Sequence, residues 1–150
     1  MKVLLLLLLA VLVYSCGNTP CAPGNLYFGL VGFSDAESQN IIIRRYIKNK
    51  NFSVQIDSLI VQYGFKRSND TLEVTSLNGE SVLWAPYDYE IVFPLAGRLY
   101  RVTDINEIQR VMKHSIFNPK KDGCINEITE LSINGQPTST IRFNRFYVVK

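Results

Sequence analysis

Three cysteines, one histidine and a few carboxylate pairs are the side chains of this 150-residue sequence that could carry chemistry. Cys16, Cys21 and Cys124 each have three available fates: a disulfide, a reactive thiol or a covalent attachment point. Nucleophilic catalysis needs a serine or cysteine beside a base, and His114 is the only histidine that could serve. It follows Lys113 at the end of a predicted helix, where a solvated or capping histidine is favoured by the negative helix terminus. One histidine and widely separated cysteines lack the ligand spacing of a zinc centre. No Gly-x-Ser-x-Gly, His-Glu-x-x-His or phosphate-cradling glycine loop occurs either. Asp88 and Glu90 share one face of a predicted strand, and Asp57, Asp70 and Asp104 could approach in space. Glycoside hydrolysis can use two carboxylates in a cleft, but thirteen acids spread over a small domain produce many accidental pairs. The expectation is a chain without catalytic activity, metal or cofactor.

Binding chemistry is better represented. Trp84-Ala85-Pro86-Tyr87-Asp88-Tyr89 clusters aromatics beside a carboxylate. Such rings combine apolar faces with polar edges and can stack on sugars or grip a peptide. Trp84, Tyr87 and Tyr89 are therefore the candidate ligand-binding residues. The competing reading puts Trp84 and Tyr89 in the core and leaves Tyr87 on a turn. Exposure of Trp84 separates the two. Arg142 to Tyr147 admits the same pair of readings.

Charge narrows the partners. Sixteen basic and thirteen acidic residues give +3, and nucleic acid asks for a concentrated basic face. Arg44-Arg45 with Lys48 and Lys50, and Lys113-His114 with Lys120-Lys121, are local groups that read as solvated surface. A nucleic-acid partner is not expected, although weak contact with anionic headgroups suits such groups.

Short segments of period two must position these residues. Leu26 to Phe33, Ile41 to Ile47, Phe52 to Ile56, and Ile60 to Tyr63 read as successive strands. Thr71 to Thr75 and Ser81 to Trp84 flank Asn78-Gly79, a strong hairpin signal because a type I′ turn needs positive φ twice. Asp88 to Phe93 alternates cleanly until Pro94, and Leu99 to Val102 resumes the pattern. Asp104 to Lys113 departs from it: Ile105, Ile108, Val111 and Met112 fall on one helical face, with Asp104 as N-cap and Glu107 three residues on. That spacing predicts one short helix near 104–113. Phe117 to Asn126 reads as a loop, and Ile128 to Ile133, Thr140 to Phe143 and Phe146 to Val149 as the last strands, with a turn at Asn134-Gly135. Seven to nine strands at close intervals predict an all-β antiparallel sandwich, with a small α+β or barrel fold as the alternative.

The N-terminus carries the most specific signal. After Met1-Lys2, Val3 to Val13 is an unbroken apolar block of eleven residues. A bilayer-spanning helix needs roughly 20, so the block fits the short hydrophobic part of an export signal. It ends Val13-Tyr14-Ser15-Cys16, which resembles the lipobox of bacterial lipoproteins: aliphatic, then small, then cysteine, with Tyr14 departing from the small residue usual in between. The resemblance implies a signal peptide over 1–15, a lipid on Cys16 and a tether over 16–25. A single domain then occupies 26–150, and the mature chain carries a net charge of +2. With Cys16 acylated, Cys21 and Cys124 remain, an even number in an oxidising compartment, and so form a candidate disulfide. With "DYEIVFP", "YRVTDI" and "ELSINGQ", the chain is similar to the small lipoproteins of Bacteroidota. The likeness implies an immunoglobulin-like or prealbumin-like sandwich anchored in the cell envelope through Cys16. No acidic residue follows that cysteine in "CGNTPCAPGN", which favours the periplasmic side of the outer membrane. Two roles stay open: a scaffold that docks an envelope protein, or a glycan- or peptide-binding module built on Trp84 to Tyr89.

Overall fold

Alternating inward and outward side chains build nearly every element of the structure. The computed structural model describes residues 21, 23–61, 63–76, 83–112, 123–138 and 144–150. The expected export signal, Cys16, the expected Asn78-Gly79 turn, His114 and the expected strand at 140–143 lie outside them. The strands run β1 (Asn25–Val31), β2 (Ile41–Ile47), β3 (Gln55–Val61), β4 (Tyr63–Ser68), β5 (Thr71–Ser76) and β6 (Leu83–Trp84), then β7 (Tyr87–Phe93), β8 (Arg98–Met112), β9 (Gly123–Ile133), β10 (Gln136–Thr138) and β11 (Arg145–Val149). One sheet has the order β11-β1-β5-β4, with β6 also paired to β1. The other has the order β10-β9-β8-β7-β2-β3.

The two sheets pack face to face as a β-sandwich. Leu26, Phe28 and Leu30 from β1 and Phe146 and Val148 from β11 meet Ile41, Ile43, Tyr89, Ile91 and Phe93 from the opposite sheet, all essentially buried. Phe33 stacks on Phe93 at 4.7 Å between ring centroids, and Phe93 meets Tyr100 edge-on at 5.6 Å. The Tyr100 hydroxyl crosses the sandwich to donate to the Val149 carbonyl at 2.8 Å. Among the described residues every strand pair is antiparallel except β1 with β11, which run parallel. Gly29 lies opposite Tyr147 in that pair, and a Cβ there would sit 2.8 Å from the tyrosine ring. The glycine is thus a matter of close approach, not of turning. Pro94 stops β7 in a single 3-10 turn that Gly97 closes at φ 60°.

Residues 104–112 are strand, not helix. They continue β8, which pairs with β9 from Val102 to Met112 and shifts register twice, between Thr103 and Asn106, where β8 carries the extra residue, and between Asn106 and Glu107, where β9 does. Asp104 takes φ 52° at this bulge, so it turns the strand where a helix cap was expected. One inserted residue reverses the alternation. Tyr100 and Val102 point inward before the bulge and Ile105 after it, whereas Ile108 is 45 % exposed. The apparent helical stripe is two half-strands of opposite parity joined by a bulge. Val102, Thr103, Ile105, Ile108 and Val111 are β-branched, which suits the pleated surface. The expected loop also ends early, since β9 begins at Gly123. Thr71–Ser76 and Leu83–Trp84 both pair with β1 and, among the described residues, not with each other.

Candidate functional site

The aromatic stretch is divided by the pleat of β7. Tyr89 is wholly buried, and its hydroxyl accepts from the Trp84 N–H at 2.6 Å and donates to the Trp84 carbonyl at 3.0 Å. Burial pushes the Tyr89 phenol well above its ordinary range, so it stays a neutral hydrogen-bonding pin. Trp84 keeps 38 % of its surface exposed. Tyr87 is half-buried, edge-on to Tyr89 at 6.5 Å, with the Arg45 guanidinium 4.7 Å from its ring centroid. Arg45 is held in turn by Asp57, its Nε donating to Oδ1 at 3.1 Å, and this pairing raises its pKa. Of the three aromatic candidates, Trp84 and Tyr87 offer surface and Tyr89 offers support.

The turn between β6 and β7 is pinned from three sides. Ala85 N–H donates to the Gly24 carbonyl at 3.1 Å. Gly24 N–H donates to Glu107 at 2.7 Å. The Lys48 ammonium donates to the carbonyls of Ala85 and Ile105. Cys21 and Cys124 are joined, with Cα atoms 5.4 Å apart. Gln109 Nε2 lies 3.0 Å from the Cys124 sulfur. The pair fastens the segment ahead of β1 to the start of β9.

Asp88 and Glu90 do share a face, the outer one of the six-stranded sheet, yet neither is accessible: 3 % and 5 % of their surfaces are exposed. Arg44, Glu90 and Arg101 are direct cross-strand neighbours on β2, β7 and β8. Glu90 Oε2 accepts from the Tyr46 hydroxyl at 2.8 Å and from Arg44 at 3.3 Å, and Oε1 from Arg101 at 3.2 Å. Burial by itself would raise the Glu90 pKa; the Tyr46, Arg101 and Arg44 donors outweigh it and hold the carboxyl below its ordinary value. The β2–β3 loop closes over this group. Phe52 lies 4.8 Å from the Arg101 guanidinium and edge-on to Tyr46 at 5.1 Å, with Asn49, Asn51 and Phe52 all at positive φ. Asn49 N–H donates to Asp88 Oδ2 at 2.8 Å, while Asp88 Oδ1 has no partner. Burial raises the Asp88 pKa against the pull of Asn49 and Lys48. Two carboxylates so enclosed act as fasteners of the loop.

Sequence reading missed the neighbouring row. Ile60, Ile42, Val92 and Leu99 stand in direct register across β3, β2, β7 and β8. All four face outward, and Ile60 and Leu99 are 63 % and 41 % exposed. Outward positions of a half-solvated sheet are ordinarily polar, so an aliphatic row four strands wide departs from the usual composition of such a face. Leu99 also lines an open depression with Phe52, Arg101, Thr103, Asn134 and Gly135. The residues come from four separate segments, and only their excess of outward isoleucine could have hinted at the row. No family model, curated protein or solved structure matches the chain.

Proposed function

We propose that the chain is a lipid-anchored protein of the bacterial cell envelope, without catalytic activity, whose sandwich docks protein through the outer face of its six-stranded sheet. The observation that carries the docking reading is the outward row Ile60–Ile42–Val92–Leu99, exposed at both ends and half-buried between, beside the charged row Arg44–Glu90–Arg101. Apolar surface ringed by well-held charges is the usual composition of a protein interface. The anchor rests on the lipobox-like Val13-Tyr14-Ser15-Cys16, where acylation of Cys16 supplies more than one chain and hence stable attachment. The side of the membrane favoured is the periplasmic face of the outer membrane. Enclosure of Asp88 and Glu90 speaks against a hydrolytic pair.

A glycan- or peptide-binding role is the second reading, favoured by the exposed face of Trp84 and the Arg45-backed ring of Tyr87. A photo-crosslinking side chain placed at Leu99, or separately at Trp84, in the full chain within intact envelopes distinguishes them. Protein adducts at Leu99 that Ile60→Lys removes are expected. Adducts at Trp84 alone would move binding to the aromatic end. Release of a Cys16→Ser chain from the membrane fraction tests the anchor.

A further inference from the structure

We infer that the chain also pairs with a second copy of itself, edge to edge through β3, an edge distinct from the docking face read above. β3 is the last strand of the six-stranded sheet, and among the described residues only β2 pairs with it. Its residues Gln55 to Ile60 are all exposed, including Ile56 at 44 %, Leu59 at 42 % and Ile60 at 63 %. Open sheet edges invite pairing and are ordinarily blunted by proline, lysine or shortness. The opposite edge, β10, has three residues with Pro137 among them, and the β4 edge carries Lys66 and Arg67. β3 has seven residues, with no proline, lysine or glycine, and its one charge, Asp57, is taken by Arg45.

The strand is also written to pair with itself. Ile56-Asp57-Ser58-Leu59-Ile60 reads as isoleucine at both ends about a central serine. An antiparallel two-fold through Ser58 sets Ile56 opposite Ile60 of the other copy, twice, and Asp57 opposite Leu59. Shifting the axis to Asp57 would face two carboxylates directly, a destabilising pair. Shifting by a single residue would turn the outward face inward, which the pleat forbids. In the Ser58-centred register the aliphatic row of each copy runs into Ile56 of the other. Each row thus gains a fifth member and stops there, because Ile56 lies at the bulge beside Arg45 and Tyr46. Pairing two strands buries much less than the roughly 1,600 Å² of a standard interface. The dimer is therefore weak in dilute solution and fills when chains are held together on a surface, where effective concentrations reach about millimolar.

The test uses the full membrane-anchored chain with Ser58→Cys, oxidised and run without reductant. Residues opposite one another in an antiparallel pair have Cα atoms about 4.5–5.5 Å apart, within reach of a disulfide. A dimer band removed by reductant is expected, and adding Ile60→Lys should weaken it about tenfold by removing both isoleucine pairs. Ile56→Cys and Ile60→Cys chains should crosslink when mixed and not separately. A monomeric Ser58→Cys chain, or Asp57→Cys crosslinking as well as Ser58→Cys, overturns the pairing.

Discussion

Replacing Glu90 with glutamine should cost about 2 kcal/mol of folding stability at neutral pH, with the loss fading in acid. The carboxylate accepts from Tyr46, Arg44 and Arg101 in a site where 7 % of its side chain is exposed. Hydrogen bonds to charged groups contribute about 1.5–3 kcal/mol each when the partner is buried. Arg44 and Arg101 are 39 % and 53 % exposed, so water recovers part of what they lose. The Tyr46 hydroxyl can rotate to accept from the new amide. A figure of about 2 kcal/mol remains, below the 3–5 of a fully buried broken pair, and corresponds to about 4–8 °C in Tm for a chain of this length. The folded pKa of Glu90 lies below its ordinary 4.5. Its contribution is therefore fully present above the unfolded value and is lost as pH falls through the folded one. Urea unfolding followed by fluorescence of Trp84, the sole tryptophan, measures both proteins at about pH 7 and about pH 3. A gap under about 0.5 kcal/mol, or one that does not narrow in acid, would refute the assignment of Glu90 as an ionised fastener.

Three other outcomes are expected. Cys124→Ala should destabilise the chain by up to about 4–5 kcal/mol, because the Cys21 bond closes a loop of 102 residues; thiol labelling with mass analysis before and after reduction checks the pairing. Gly29→Ala should cost about 1–3 kcal/mol through its clash with the Tyr147 ring, and Tyr147→Ala should recover most of that in a double-mutant cycle. Intact mass of the mature protein should show cleavage before Cys16 and acyl additions to it, and an unmodified, uncleaved Cys16 would remove the anchor.

Much of the fold was legible because strands announce themselves by alternation: Ile41 to Ile47, Thr71 to Thr75 and Asp88 to Phe93 were expected as strands and lie within β2, β5 and β7. Pro94 and Asn134-Gly135 ended strands for local steric reasons. The cysteine pair followed from counting. What failed was parity. A bulge at Asp104 is a single-residue event with no signature beyond a residue tolerant of positive φ, and it turned two strand faces into an apparent helix. The same limit hid the outward aliphatic row. Ile42, Ile60, Val92 and Leu99 become neighbours only once three strand registers are fixed, and register is set by packing, not by local sequence. The parallel pairing of β1 with β11 joins the two ends of the chain and has no local signal at all. Trp84 to Tyr89 was read correctly as aromatic and incompletely as surface, since the pleat buries Tyr89 and leaves Trp84 at the rim.

The bond between Cys21 and Cys124 also has a mechanical meaning. Tension applied to the segment ahead of Cys21 would, without it, run directly into β1 and begin to peel that strand from β6, β11 and β5. With it, the pull is diverted at the first described residue into Gly123–Ile133, whose hydrogen bonds to β8 extend over most of the length of both strands. Force along β9 acts against many of those bonds in parallel and not one after another. A pull on the segment ahead of Cys21 can thus leave β1, which carries the centre of the five-stranded sheet, slack.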